Sequence, residues 1–291
     1  MMKEQFIQLV KPIISRSPRL AMTYRYARDT WNLYDEPKRT PIGFKLLGNS
    51  LMQRGEYESE ETEIVKKILQ HIDVFINIGA NIGYYCCIAR YCGKENLQVI
   101  AFEPNYHNLL YLLQNIKANA WESQVEVFPI AVSNTVGVIE IYGGGPQASL
   151  VKGWGRRPGQ YVALAPCSTL DNVLGSRFTS QQCFFLVDVE GAEQMMLEGA
   201  ASFLDREPKP IWMIEITVSE NQPEGVHLNP HLRNTFQFFW DRGYEAWTAD
   251  RQCRLVCPDE VERVAIGGLD TFSTHNFLFI EKGKKSQFIN G

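Results

Sequence analysis

Residues 74–83 read Val-Phe-Ile-Asn-Ile-Gly-Ala-Asn-Ile-Gly, and residues 98–105 read Gln-Val-Ile-Ala-Phe-Glu-Pro-Asn. The stretch between them has helical character, so the sequence predicts a strand, a glycine turn, a helix and a second strand that ends in a carboxylate. This order builds a nucleotide-sized slot at the carboxyl edge of a parallel sheet. Gly79 tolerates the positive φ of a sharp turn, and Gly83 leaves room for helix packing or for a ligand against bare backbone.

The acid at the end of the second predicted strand, Glu103, lies twenty residues beyond Gly83. A carboxylate at that position can accept hydrogen bonds from two ribose hydroxyls. The turn lacks the middle glycine that lets backbone approach a pyrophosphate. An adenosine ligand without a diphosphate therefore fits better, and S-adenosylmethionine is the predicted cofactor. A nicotinamide-dependent oxidoreductase stays open as the alternative.

The composition is that of an ordinary globular enzyme, with 45% hydrophobic and 21% charged residues among 291. A net charge of −4 gives no electrostatic case for a nucleic-acid partner. No apolar run approaches the length of a membrane-spanning helix, and Met1–Leu20 lacks the features of a secretory signal. The seven cysteines show no disulfide framework and no zinc-ligand spacing. The sequence thus predicts a cytoplasmic protein with reduced thiols and no metal site.

Three segments are predicted along the chain. Residues 1–70 form an N-terminal helical extension, residues 71–283 form a domain of alternating strands and helices, and residues 284–291 form a polar tail. Met1–Arg39 is basic and rich in aromatic residues. Such a segment is typical of a cap, of a contact in a homo-oligomer, or of a peripheral contact with an anionic membrane.

The continuous apolar run Cys183–Val187 predicts a central strand that is buried on both faces. Helices are expected over 192–204 and 235–240, and the last strand over 276–280. Residues 143–160 hold six glycines and two prolines, which predicts a long loop. It is either a binding loop whose Trp154 is suited to grip a sugar beside basic residues or a mobile surface loop. The remaining predicted elements are strands Val74–Ile78, Gln98–Phe102, Val125–Phe128, Val138–Tyr142, Ile211–Ile216 and Tyr244–Thr248, and helices Ile82–Cys92 and His107–Asn119.

Chemistry in a doubly wound sheet collects at the carboxyl ends of the strands. Asp188 and Glu190 come directly after the predicted central strand, which is a costly place for acids without a function. Glu215 lies in an apolar strand, where burial would raise its pKa and suit it to act as a general base. The candidate catalytic residues are therefore Asp188 or Glu190, with Glu215 third. Their spacing does not demand a metal ion.

Five motifs follow one another in order: Gly79-Ala80-Asn81-Ile82-Gly83, Phe102-Glu103-Pro104-Asn105, Thr169-Leu170-Asp171-Asn172, Asp188-Val189-Glu190-Gly191-Ala192-Glu193 and Asn276-Phe277-Leu278-Phe279-Ile280. Through these motifs, residues 55–280 resemble the FkbM family of S-adenosylmethionine-dependent methyltransferases. The resemblance implies an α/β class I methyltransferase (Rossmann-like) fold, a doubly wound, mostly parallel sheet of seven strands with the last antiparallel. It also implies methyl transfer to a hydroxyl, often on a sugar or a polyketide.

The positions that the resemblance assigns to the cofactor are Asn77, Gly79, Asn81, Gly83, Glu103, Asn105, Val132 and Ser133. The first four would surround the methionine part and the ribose edge. The carboxylate would hold the ribose hydroxyls with its asparagine neighbour beside it, and the last two residues would flank the adenine. Asp188 would lie near the reactive methyl group.

Two positions depart from the family pattern. The family commonly has aspartate where this chain has Asn77, and commonly lysine where it has Leu186. These departures keep a catalytically silent cofactor-binding scaffold open as an alternative. The expected function is O-methylation of a hydroxyl on a sugar or glycan precursor or a related small molecule, with N-methylation as a close variant.

Overall fold

The computed structural model describes residues 35–145, 148–156 and 162–289. The predictions made for the first 34 residues of the chain, namely helices and a membrane or dimer contact, lie outside the described residues. Among the helices of the described ranges, none is long and apolar enough to cross a membrane.

The strands form a central sheet, a small side sheet and a hairpin. In chain order they are β1 Lys38–Arg39, β2 Lys45–Leu46, β3 Val74–Ile78, β4 Gln98–Phe102, β5 Val125–Phe128, β6 Ala131–Val132, β7 Gly137–Tyr142, β8 Val162–Ser168, β9 Cys183–Val187, β10 Ile211–Glu215, β11 Tyr244–Thr248, β12 Leu255–Val256 and β13 Asn276–Glu281. The central sheet has eight strands in the order β12-β11-β13-β10-β9-β3-β4-β5. The side sheet has the order β6-β8-β7, and β1 pairs with β2.

Helices cover both faces of the central sheet. In chain order they are α1 Ser50–Arg54, α2 Ser59–Ile68, α3 Tyr84–Cys92, α4 Tyr106–Ala118, α5 Leu170–Leu174, α6 Glu193–Glu198, α7 Ala201–Leu204, α8 Leu232–Trp240, α9 Pro258–Gly267 and α10 Lys285–Phe288. Successive side chains of a strand point to opposite faces. In β9, Phe184 and Leu186 accordingly join the core under α2, α3 and α4, whereas Phe185 joins the core under α6, α8 and α9.

The strand directions confirm the predicted fold class. Strands β5, β4, β3, β9 and β10 run parallel, and β13 lies antiparallel between β10 and β11. A parallel sheet with an antiparallel last strand inserted beside the edge is the class I methyltransferase arrangement that was expected. The short strand β12 extends the edge at β11 and makes an eighth strand, where seven were expected.

Several predicted elements differ from those observed. The helix expected over 192–204 is divided into α6 and α7 around Gly199. Strand β8 and helix α9 are absent from the prediction. In β8, Pro166 interrupts the β-like composition, although exposed and buried residues alternate along most of the strand. In α9, a proline at the start and two acids in the first turn were readable start signals.

The described part of the N-terminal extension is only partly helical, because residues 38–46 form the β1–β2 hairpin. Asn115 of α4 ties this region to the domain. Its side chain accepts from the Leu47 N–H at 2.6 Å and donates to the carbonyls of Leu47 at 3.1 Å and Ile82 at 2.8 Å. The predicted polar tail is likewise attached, since Phe288 packs on the core and Ile289 is buried. Both ends of the described chain therefore support the domain.

Two glycines at the first strand–helix junction are constrained by their neighbours. Gly79 has φ +81°, and a Cβ there would lie 1.8 Å from the carbonyl oxygen of Asp188. Gly83 has φ +83°, and a Cβ there would lie 2.4 Å from Leu112 of α4. Gly83 thus serves helix packing, one of its two predicted uses. Gly79 allows the ends of β3 and β9 to meet backbone to backbone.

We expect Gly79→Ala to lower the free energy of unfolding by about 2–4 kcal/mol, because the new methyl group meets fixed backbone at an unfavourable φ. Urea denaturation followed by circular dichroism measures the change. Gly267→Ala is the matched control, since a Cβ at that position has no neighbour within 4 Å and φ is ordinary there. Equal stability of the two variants would contradict the close approach.

Candidate active site

Two clefts open at the carboxyl edge of the central sheet and share Gly79, Asn81 and Asp188. The first cleft, of about 560 Å³, lies between Glu103 and the segments 130–132 and 148–150. The second cleft, of about 450 Å³, lies between Asn77 on the sheet and Glu58 before α2. The clefts therefore adjoin at these three residues.

Glu103 lies at the wall of the first cleft, and only 4% of it is exposed. Its Oε2 accepts from the Asn81 N–H at 2.7 Å, and its Oε1 accepts from the Asn105 N–H at 2.8 Å. The side chain of Asn108 donates weakly to Oε1, at 3.5 Å. Burial raises the pKa of Glu103 to about 8, although these hydrogen bonds oppose the rise. The carboxylate is held rigidly, with lone pairs left for a ligand.

Asn105 has a supporting position. It caps α4, where its side chain accepts from the N–H groups of His107 at 3.0 Å and Asn108 at 3.3 Å. It lies beside Glu103 as predicted, but it does not line either cleft. Asn108, which lines the first cleft, is absent from the prediction. Its only sequence signal was a polar residue on the buried side of the helix, where Asn115 also lies.

Asn81 lines both clefts in a left-handed backbone conformation, with φ +50°. Its N–H is used by Glu103, whereas its side-chain Oδ1 is buried and accepts no hydrogen bond from the described residues. A buried acceptor without a donor costs free energy. The atom is therefore suited to a ligand that brings a hydroxyl or an N–H group.

The apolar wall of the first cleft includes Val132 and Ile130. Ser133, which the resemblance assigns to the adenine beside Val132, does not line the cleft. It is fully buried, and its N–H donates to the Ser168 carbonyl at 2.9 Å. The reason is that the chain continues from β6 alongside β8, which turns Ser133 into the side sheet. Ile141 lines the cleft from β7.

Asn77 and Leu186, the two departures from the family pattern, face each other. They occupy the same rung of neighbouring strands β3 and β9, and both line the second cleft. The Asn77 side chain donates to the Leu186 carbonyl at 3.3 Å and accepts from the Cys86 thiol at 3.6 Å. An aspartate and a lysine at these positions would form an ion pair across the rung. Both members are neutral here, so neither leaves a charge uncompensated.

Asp188 and Glu215 form a pair of interacting carboxyl groups at the ends of β9 and β10. Burial raises the pKa of Asp188 well above its usual value, and repulsion from Glu215 raises it further. Burial also raises the pKa of Glu215, to about 7, although a hydrogen bond with Asp188 opposes the rise. Two such carboxyl groups share a proton near neutral pH. Asp188 lines both clefts, so this proton is held where the clefts meet.

Glu190 anchors the glycine-rich segment. Its Oε2 accepts from the Trp154 indole N–H at 2.7 Å, and its carbonyl accepts from the Ser149 hydroxyl at 2.6 Å. Trp154 is only 4% exposed, with its ring against Gly191. The segment therefore closes over the end of β9, and Trp154 does not offer the sugar-gripping surface that was predicted. Glu190 lines the first cleft, but its carboxylate is committed to this contact.

Three residues of the second cleft were missed in the sequence: Tyr57, Glu58 and Tyr85. The Tyr85 hydroxyl donates to Glu58 Oε2 at 2.7 Å, and Tyr57 also hydrogen bonds to Glu58. No local pattern identifies them, because they come together only when α2 packs against α3. Nearby Glu193 is buried as well, and it braces the turn after β9 by accepting from the Gly191 N–H at 2.8 Å.

A group that could ligate a metal ion occurs elsewhere in the described residues, where no metal site was expected. His275 Nε2 lies 2.6 Å from Asp270 Oδ2 and 3.7 Å from Glu220 Oε2. A protonated His275 would pair with both carboxylates in the same arrangement. None of the three residues lines either cleft.

Comparison with protein families matches residues 77–246, more than half of the chain, to the methyltransferase FkbM domain. The chain belongs to the FkbM methyltransferase family. The family that matches is one of methyltransferases, which argues against the nicotinamide-dependent alternative. No curated protein matches the chain.

Solved methyltransferase structures are similar to this FkbM chain at low sequence identity. The FkbM methyltransferase from Methylobacillus flagellatus KT is 16% identical with a TM-score of 0.43, and the match covers 72% of this chain and 44% of that one. The O-methyltransferase from Bacillus cereus in complex with SAH is 10% identical with a TM-score of 0.44, and the match covers 77% and 80%. The chain thus spans less than half the length of the Methylobacillus protein.

A double-mutant cycle tests the pairing of the uncharged residues Asn77 and Leu186 on neighbouring strands. Asn77→Asp should lower the free energy of unfolding by about 1–3 kcal/mol, because it adds an unpaired charge beside other acids. Combining it with Leu186→Lys should recover part of that loss through coupling of about 0.5–3 kcal/mol. Urea denaturation of the four proteins gives the coupling directly. Strictly additive effects would contradict the expected proximity of the two side chains on this rung.

Stability should fall as pH rises. The pKa values of Glu103 and Glu193 are raised to about 8, and that of Glu215 to about 7, all chiefly by burial. These groups stay protonated in the folded chain after they have ionised in the unfolded chain, so stability present at pH 5 is lost by pH 8. We expect a loss of at least about 2 kcal/mol in urea denaturation without ligand.

Glu193→Gln removes one of these groups and should make the loss with pH smaller. A free energy of unfolding that is constant or rises between pH 5 and pH 8 would contradict the burial of these carboxyl groups.

Proposed function

We propose that this methyltransferase transfers a methyl group from S-adenosylmethionine to a hydroxyl of a sugar or glycan precursor or a related small molecule. The observation that carries the proposal is the Asp188–Glu215 pair at the meeting point of the clefts. A hydroxyl is a weak nucleophile at neutral pH, and a carboxylate with a raised pKa is suited to remove its proton.

The residues of the first cleft fit the adenosine part of the cofactor. Glu103 offers a fixed carboxylate for two ribose hydroxyls, and Asn81 Oδ1 is a buried acceptor in need of a donor. Val132 and Ile130 supply an apolar wall for a flat base. The remaining, amino-acid part of the cofactor would extend past Gly79 into the second cleft, which shares this lining.

When bound, S-adenosylmethionine supplies an electrophilic methyl carbon on a positively charged sulfur that leaves as a neutral thioether. The protein aligns the acceptor oxygen with that carbon and removes the hydroxyl proton. Alignment in well-oriented systems can supply roughly 7–11 kcal/mol of the barrier, and general-base help contributes about 10²–10⁴-fold.

The carboxyl pair provides a balanced path for the proton. Asp188 Oδ1 is buried, and no N–H or O–H group of the described residues donates to it. The acceptor hydroxyl donates its proton to Asp188, and the proton shared by the pair moves onto Glu215. The oxygen is then free to form its bond to the methyl carbon. Glu190, the other predicted base, keeps the segment 148–156 in place through Trp154.

The proposed class of acceptor rests mainly on the family resemblance and not on the geometry of the clefts. The family resemblance favours a hydroxyl on a sugar or related compound. The carboxyl pair also favours a hydroxyl, because a hydroxyl needs a base to remove its proton and a neutral amine does not. The cytoplasmic location is a further proposal, supported by seven cysteines that are all free thiols. Homo-oligomer formation, peripheral membrane contact and the absence of a nucleic-acid partner stay predictions from the sequence.

Methyl transfer is tested with an isotopically labelled donor and a panel of acceptors, read by mass spectrometry. The panel contains sugars, nucleotide-linked sugars, lipid-linked glycans and small alcohols, with matched amino sugars beside them. Labelled methyl ethers would support the proposal. Products methylated only on nitrogen would contradict the hydroxyl assignment, and binding of the donor without any product would favour the silent scaffold.

We expect Asp188→Asn to lower kcat by about 10²–10⁴-fold, because an amide cannot take the proton. Binding of S-adenosylhomocysteine, followed by calorimetry, should be nearly unchanged. In the unmodified enzyme kcat should rise with pH and level off above about 7, where the pair loses its first proton. An Asp188→Asn variant with normal kcat would remove the pair from the mechanism.

The variant Glu215→Gln tests whether Glu215 controls the proton of Asp188 or has only a structural role. The limb near pH 7 reflects the pKa of Glu215, so its removal should displace the limb of kcat to the pKa of Asp188 alone, which burial holds well above its usual value. Glu190→Gln is the matched control, because a glutamine oxygen can still accept from Trp154 and should leave the limb in place. Identical shifts in both variants would contradict a special role for the pair.

A further inference from the structure

We infer that the second cleft contains an ammonium-binding site whose carboxylate is Glu58, and that this site receives the α-ammonium of the cofactor. The inference rests on the proposed use of S-adenosylmethionine. It concerns a residue that precedes the family-matched range, which begins at residue 77.

The local geometry directs Glu58 to the cleft. The residue lies immediately before α2, where an acidic side chain commonly caps the helix, yet it makes no capping hydrogen bond. Its backbone is left-handed, with φ +41°, which is unfavourable for a residue with a Cβ. This conformation takes the carboxylate to the Tyr85 hydroxyl, 2.7 Å away, at the wall of the second cleft. Neighbouring contacts therefore hold a strained residue in place, as is common at binding sites.

The charge of the second cleft favours a cationic ligand. Glu58 and Asp188 line it, and Glu215 adjoins Asp188. No lysine, arginine or histidine is among the described residues that line the cleft. Burial raises the pKa of Glu58, and repulsion from Glu61 adds to the rise. Partly buried carboxylates without a cation cost free energy, and a bound ammonium would offset that cost.

The connection to the first cleft identifies the ammonium. With the ribose at Glu103, the cofactor continues past Gly79 and Asn81, which line both clefts. Asn77 cannot provide a charge, and its side chain is already hydrogen bonded to the Leu186 carbonyl and the Cys86 thiol. Glu58 lines the same cleft and supplies the missing negative charge. The N-terminal extension therefore completes the cofactor site.

Two ligands distinguish the contact between Glu58 and the α-ammonium from the contacts with the adenosine. S-adenosylhomocysteine carries the amino-acid part, and 5′-methylthioadenosine lacks it while keeping the adenosine. Calorimetry with the full chain should show that Glu58→Gln weakens binding of S-adenosylhomocysteine by at least about tenfold, the loss expected for a hydrogen bond to a charged group. Binding of 5′-methylthioadenosine should be unchanged, which also shows that the variant is folded.

Glu63→Gln is the matched control, because Glu63 is an exposed residue of α2 that pairs with Lys66. It should bind both ligands as the unmodified chain does. Equal losses for both ligands in Glu58→Gln, or no loss for either, would overturn the assignment of the ammonium to Glu58. Failure of the unmodified chain to bind either ligand would instead overturn the proposed cofactor use, and the inference would fall with it.

Discussion

The backbone contact between Gly79 and the carbonyl of Asp188 fixes the layout of the site. It brings the ends of β3 and β9 so close that no side chain fits between them. The first cleft, with Glu103, and the second cleft, with Glu58, adjoin at this contact. Asp188 lies where they join, so a carboxyl group of raised pKa is available to both halves of a bound molecule.

The two clefts hold several acidic groups, and no lysine, arginine or histidine is among the described residues that line them. Glu103 is stabilised by backbone N–H groups, Asp188 and Glu215 share a proton, and the Tyr85 hydroxyl donates to Glu58. Each arrangement reduces the cost of burial without adding a positive charge. A cofactor with a sulfonium and an ammonium brings two positive charges, so its binding and the stability of the folded chain are coupled through the same carboxylates.

The sequence predicts the parts of this structure that depend on residues close to one another along the chain. Strand, glycine turn and helix at residues 74–92 and the acid at Glu103 follow from local patterns, and the five motifs identify the family. Local patterns do not predict three other features: the pairing of Trp154 with Glu190, the position of Ser133 and the role of Asn108. They depend on how the side sheet and the glycine-rich segment fold back onto the clefts, and no periodicity encodes that path.

The neutral pair Asn77 and Leu186 shows why the extension belongs to the functional unit. A charge on the β3–β9 rung would be fixed by the sheet, whereas the charge at Glu58 depends on α2 and on the hairpin that Asn115 holds against the domain. If Glu58 binds the ammonium as proposed, recognition of the cofactor depends on a segment outside residues 77–246. Any change that loosens this segment should then act on the amino-acid end of the cofactor before it acts on the adenosine end.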